Sequence, residues 1–278
     1  MKNIMREMIT FDEGKCIRCG ICTDVCPVGI IELKDNHIPF ISGNLYSICR
    51  KCGHCEVFCP EGAVSSDYAG NIPSERDLSG KFLEPDELKE HLWTRRTTRV
   101  FRENLVEKEK LEEILDAVRY APSGSNRQPV RWVVISGREK VTEIADKVAK
   151  WMASLAEKEK GDPMAEAFGQ IADLYSNGID RITRNAPQLI LTMVPSDNPW
   201  GQTDSTIALS WFEILCQSYG IGTCWLGLVR MPAREDPSIL GHLPIPEGYE
   251  LGFSMAFGYA RYIQRGIPKR NKADITWI

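Results

Sequence analysis

From residue 86 onward, two kinds of hydrophobic spacing alternate along the chain. Leu111, Ile114, Leu115 and Val118 recur at three- and four-residue intervals, so 107–120 is predicted to be a helix with one apolar face. Helices are also predicted over 86–96, 138–159, 164–182 and 203–219, the first of them opened by Pro85 at a position a helix tolerates. Continuous apolar or β-branched runs predict strands over 131–136, 188–194 and 249–259. The pattern is that of a layered domain, α/β or α+β, with helices covering a sheet. Before residue 60 the apolar runs are short, and only 30–33 and 37–41 read as strand-like. Residues 67–86 are polar, carry Gly and Pro, and read as a connection. The expected organisation is a small domain over 1–68, a linker over 69–85 and a larger domain over 86–278.

The cysteines separate these two parts. Eight of ten fall before residue 60, and only Cys216 and Cys224 lie beyond. The eight form one run written twice: Cys16, Cys19, Cys22 and Cys26-Pro27, then Cys49, Cys52, Cys55 and Cys59-Pro60. Each cysteine has its twin 33 residues later, and Gly20 repeats as Gly53. This is an internal duplication. Two-residue gaps let three thiolates converge from one tight loop, and in such a run the fourth cysteine ligates the other cluster. Cys16, Cys19, Cys22 and Cys59 are therefore expected to hold one iron–sulfur cluster, and Cys26, Cys49, Cys52 and Cys55 the second. Zinc and disulfides are the alternatives, since paired C-x-x-C units also bind zinc. The third cysteine and the Cys-Pro ending favour clusters. Cys216 and Cys224 read as small core residues, and His54 as a surface histidine.

The remaining composition narrows the class. Net charge is −4, which implies no general attraction to nucleic acid or anionic membrane. No charged segment followed by an apolar run opens the chain, and no 18-residue apolar stretch occurs, so a cytoplasmic, non-membrane protein is expected. Reduced thiols are the rule there, which again favours metal chemistry over disulfides. There is no Ser-His-Asp arrangement, P-loop or G-x-G-x-x-G.

The cysteine segment resembles a two-cluster bacterial-type ferredoxin over roughly residues 8–68. That resemblance implies two 4Fe-4S clusters that pass electrons singly.

Three further segments carry candidate chemistry. Arg95-Arg96-Thr97-Thr98-Arg99 places three guanidiniums and two hydroxyls in five residues, a set suited to phosphate. Residues 121–129 form a break rich in small and amide side chains. Gly220-Ile221-Gly222-Thr223-Cys224-Trp225-Leu226-Gly227 could bring backbone close to a flat ligand, or could be a helix C-cap and buried turn. In order and spacing, and with Gly258-Tyr259 followed by the basic Pro268-Lys269-Arg270, they resemble the FMN-dependent nitroreductase family over roughly residues 86–278.

That resemblance implies an α+β sheet-and-helix domain and an FMN-dependent oxidoreductase. By it, Arg95, Thr97 and Arg270 would hold the FMN phosphate and its neighbourhood, and Arg96 would assist near the ribityl chain. Arg99 would face the pyrimidine edge. Pro122, Ser123, Gly124 and Asn126 would approach from the second subunit of a homodimer, and amides around Leu226 and Gly227 would meet the flavin N5 edge. No side chain need act as a nucleophile. The implied function is electron transfer from a ferredoxin-like donor, through two clusters to FMN, and on to a small acceptor such as a nitroaromatic, quinone or activated alkene. NAD(P)H as donor, with the clusters as outlet, is the second direction. A non-enzymatic electron carrier is the alternative of a different class.

Overall fold

The computed structural model describes residues 9–67 and 82–278. Residues 69–81 of the expected linker lie outside that range. Two compact units are present. Among the described residues, the first comprises 9–67 with Ser125–Arg127; the second comprises Phe82–Gly124 and Gln128–Ile278.

The first unit repeats in structure what it repeats in sequence. β1 (Ile9–Phe11) is followed by α1 (Ile21–Asp24), β2 (Ile31–Glu32), β3 (Phe40–Ile41), α2 (His54–Val57) and β4 (Val64–Ser66). The helices α1 and α2 are offset by 33 residues, and so are the left-handed residues that precede them. Arg18 and Lys51 have φ of 57° and 50°, and Gly20 and Gly53 have 80° and 73°. Glycine adopts that conformation without steric cost, and the sharp turn lets successive sulfurs face inward. β1 pairs with β4 and β2 with β3, both antiparallel, around a small core that includes Ile9, Ile30, Ile31, Ile41 and Val64.

The second unit is built on a sheet. Its elements are α3 (Pro85–Thr94), α4 (Lys108–Val118), β5 (Arg131–Ser136), α5 (Arg138–Lys158), α6 (Pro163–Ser176), β6 (Gln188–Pro195), α7 (Gly201–Ser218), β7 (Ile221–Trp225), α8 (Gly227–Glu235) and β8 (Tyr249–Tyr259). Strand order is β5-β6-β8-β7, with every pairing antiparallel, so the domain is α+β. β6 is central and buried on both faces. Leu189, Leu191 and Met193 pack with Ile144, Val148 and Met152 of α5, while Ile190 packs with Leu111, Ile114 and Val118 of α4 and Phe212 of α7. That two-residue alternation makes a continuous apolar run a sheet with helices on both faces. Each fully buried Leu or Ile contributes about 1.5–3 kcal/mol through removal from water.

Two expectations are corrected. The helix predicted over 164–182 ends at Ser176. Asn177 and the left-handed Gly178 (φ 81°) stop it, and Asp180 then accepts hydrogen bonds from the Ile182, Thr183 and Asn185 amides, forming a tight loop instead. The glycine-rich segment 220–227 is not simply a cap and a buried turn: 221–225 is an edge strand of the sheet. A Cβ at Gly222 would overlap the Thr98 side chain, so this glycine permits the close approach of β7 to the arginine run.

Candidate functional site

The cysteine run is sorted by the fold into the two sets the spacing predicts. Cys16, Cys19, Cys22 and Cys59 line one small cavity, and Cys26, Cys49, Cys52 and Cys55 line another. Cys22 and Cys55, on the two short helices, are the buried members, each 7% exposed. Burial raises the Cys22 thiol, with Cys16, Cys19 and Cys59 adding to the effect. Burial pushes Cys55 up to about 11, with Cys52, Cys49 and Cys26 adding. Metal ligation takes the thiolate form, and a bound iron ion favours loss of the Cys22 and Cys55 protons. Backbone amides already point at two of the sulfurs: Lys51 N–H donates to Cys49 Sγ at 3.4 Å and Ala63 N–H to Cys59 Sγ at 3.2 Å. Such bonds tune a cluster's potential. Among the described residues, no three His, Cys, Asp or Glu side chains gather tightly enough to hold a single metal ion. The quartets surround cavities, as a four-iron core requires. His54 is exposed and stacks on Phe58 at 5.8 Å.

In the second unit the arginine run leaves α3 and is pinned to the end of the sheet. Thr98 N–H donates to Thr223 O at 2.8 Å, Arg102 N–H to Tyr259 O at 2.8 Å, and Arg261 N–H to Val100 O at 3.0 Å. These bonds set one wall of a cavity of about 500 Å³, lined by Arg95, Arg96, Thr97, Arg99, Thr223 and Tyr262 among others. Arg95 Nη1 lies 3.2 Å from Glu213 Oε1. The same carboxylate, on α7, accepts from Thr223 Oγ1 and Trp225 Nε1, each at 3.1 Å. Arg96 donates through Nη2 to Trp93 O, yet its Nε is buried without a partner among the described residues. Burial lowers the Arg96 pKa, with the charges of Arg270 and Arg95 acting in the same direction. Arg95, Arg96, Arg99 and Arg102 thus line one cavity, with one buried N–H unused among the described residues. An anion with several acceptor oxygens fits this donor set.

The other predicted residues are placed differently. Pro122, Ser123, Gly124, Asn126, Leu226, Gly227 and Arg270 do not line this cavity. Gly124 N–H donates to Asp204 Oδ1 at 2.9 Å, and its Cα packs closely on Trp200. Ser123 Oγ accepts from Gln128 N–H at 2.9 Å. Asn126 belongs with the first unit. Leu226 is buried, and its N–H is already taken by Ser254 O at 2.9 Å. Gly227, at the start of α8, has open space beside its Cα and is the better placed of that pair to meet a ligand. Cys216 and Cys224 are core residues, at 0% and 4% exposure. Glu213 is the residue missed in the sequence. Its only signal there is a lone carboxylate on the apolar face of a predicted helix.

No helix among the described residues is long and apolar enough to cross a membrane. Comparison with known proteins places both units. Residues 15–64 match the 4Fe-4S dicluster domain, and residues 92–259 match the nitroreductase family. A candidate NADH dehydrogenase/NAD(P)H nitroreductase of Archaeoglobus fulgidus is 28% identical over 171 residues, covering 61% of this chain and 83% of the relative. An NADH dehydrogenase of Thermus thermophilus is 26% identical over 177 residues, covering 59% and 85%. A nitroreductase from Desulfitobacterium hafniense, solved with bound FMN, shares the fold with a TM-score of 0.57 at 23% identity, over 69% of this chain and 98% of that one. The chain belongs to the nitroreductase family and carries an N-terminal 4Fe-4S dicluster domain.

Proposed function

We propose that this protein is an iron–sulfur flavoprotein oxidoreductase, in which a ferredoxin-like donor charges two 4Fe-4S clusters and the electrons pass by way of FMN to a small acceptor such as a nitroaromatic, quinone or activated alkene. The observation that carries this reading is the presence, on one chain, of two separate cysteine quartets and a cavity lined by four arginines with an unused buried N–H. The clusters, when bound, supply single-electron exchange, and FMN supplies two-electron storage. Covalent linkage keeps donor and acceptor modules at high effective concentration.

In this reading Arg95, Thr97 and Arg270 hold the FMN phosphate and its neighbourhood, Arg96 assists near the ribityl chain, and Glu213 fixes the Arg95 guanidinium. Thr97 lies beside Thr223 at the same wall. Arg99 lines the same cavity and carries positive charge toward the flavin's pyrimidine edge. Gly227 approaches the flavin edge through its backbone. Pro122, Ser123, Gly124 and Asn126 complete the site from the second subunit of a homodimer. The bound FMN of the fold neighbours supports this assignment. We place the protein in the cytoplasm, where its thiols stay reduced.

The names of the two relatives favour a second reading, with NADH or NADPH as donor and the clusters as outlet. Anaerobic turnover separates the possibilities. The purified protein is reduced with ferredoxin or with NAD(P)H, and candidate acceptors are added. Rapid reoxidation by a small molecule supports the enzyme. Reoxidation by protein acceptors alone would leave an electron carrier.

A further inference from the structure

A second cavity, of about 920 Å³, is lined by Arg99, Arg102, Arg138, Arg181, Arg184 and Arg261. They come from four places in the chain: the segment after α3, the start of α5, the loop between α6 and β6, and the end of β8. None of the six forms an ion pair with a described residue. Two carboxylates, Asp180 and Glu103, share the wall. Asp180 is occupied by its own loop, accepting from the Ile182, Thr183 and Asn185 amides and from Thr183 Oγ1. It therefore builds the loop, and its charge with that of Glu103 offsets only part of the charge of the six arginines. In that loop Arg184 and Asn185 are left-handed, with φ of 62° and 49°, and Arg138 Nη2 donates to Asn185 O at 3.3 Å. The loop is tied down on both sides while the guanidiniums of Arg181 and Arg184 line the cavity.

Six guanidiniums thus face two carboxylates, in a protein whose net charge is −4. Such an arrangement costs free energy in the absence of an anion and is recovered when one binds. Guanidiniums match planar or tetrahedral oxyanions through paired N–H donors. Six of them around one open cavity exceed what a single phosphate can use.

We propose that this cavity binds a small polyanion, a molecule carrying two or more phosphate or carboxylate groups. Arg99 and Arg102 also line the Arg95–Arg96 cavity, so the two sites adjoin, while Arg138, Arg181, Arg184 and Arg261 line this one alone; the proposal does not depend on the electron path described above.

The test uses the full chain loaded with clusters and FMN, titrated calorimetrically with inorganic pyrophosphate and, in parallel, with citrate. Saturable one-site binding of at least one probe is expected, weakening as salt rises. The tighter probe distinguishes a phosphate-bearing from a carboxylate-bearing ligand. Arg181→Gln/Arg184→Gln should weaken that binding about tenfold or more while iron and flavin content stay at the wild-type level. Arg138→Gln, at an exposed position outside the loop, should weaken it as well and stands in if the double variant misfolds. Binding of neither probe, or equal binding by wild type and variants, overturns the proposal.

Discussion

Arg95 Nη1 sits 3.2 Å from Glu213 Oε1, and that buried carboxylate also holds Thr223 and Trp225 of the neighbouring strand. One acid thus ties the arginine run, α7 and β7 together. Removing it leaves a guanidinium, a hydroxyl and an indole N–H without their acceptor. Glu213→Ala is expected to lower stability by about 2–4 kcal/mol, read from chemical denaturation of the holoprotein. An unchanged midpoint would mean that the carboxylate is not a structural hub.

The unused Arg96 Nε and the nearby Arg270 charge predict where an anion binds. Arg96→Ala and Arg270→Ala should each weaken FMN retention by about tenfold or more, the worth of a charge-assisted hydrogen bond. Flavin fluorescence released on dilution measures this. Wild-type retention in both variants would place the phosphate elsewhere.

The crossed cysteine sets make an asymmetric prediction. Cys26 lies in the first run but joins the cavity of Cys49, Cys52 and Cys55. Cys26→Ala should therefore remove about half the iron while sparing the cluster held by Cys16, Cys19, Cys22 and Cys59. Iron analysis combined with low-temperature electron paramagnetic resonance reads which cluster survives. Loss of the first cluster instead would show that each run keeps its own fourth ligand.

The cysteine sets were legible because cluster ligation dictates spacing, and the duplication marks each turn twice. β6 was legible because burial on both faces demands a continuous apolar run. The end of α6 was not, since Asp180 closes a local turn against a sequence that still reads as helical. β7 was hidden by Gly220 and Gly222, which weaken any strand signal; only the Thr98 contact explains the second. Glu213 was invisible for a related reason. Its partners lie 118, 10 and 12 residues away, and only the fold assembles them. The six arginines of the second cavity span residues 99–261 and form no motif.

Burial pushes the Cys216 thiol well above its usual value, with the Glu213 charge adding. A thiol raised in the fold favours the native state below its unfolded pKa and loses that contribution as pH rises further. The unfolded chain ionises this group from about pH 8.5. Stability should then fall by up to about 1.4 kcal/mol per pH unit on account of this one proton. Cys216→Ala should flatten the decline between about pH 8.5 and 10. Parallel pH profiles for the two proteins would show that Cys216 ionises alike in both states.

In the proposed path, electrons reach the flavin through the clusters. The most direct measurement is anaerobic stopped-flow reduction by ferredoxin, following cluster and flavin absorbance together in wild type and Cys52→Ala. Reduction of FMN by dithionite serves as a control for an intact flavin site. The account predicts that clusters bleach before flavin in the wild type, and that Cys52→Ala loses ferredoxin-driven flavin reduction but keeps the dithionite reaction. Flavin reduction by ferredoxin at the wild-type rate in Cys52→Ala would contradict it.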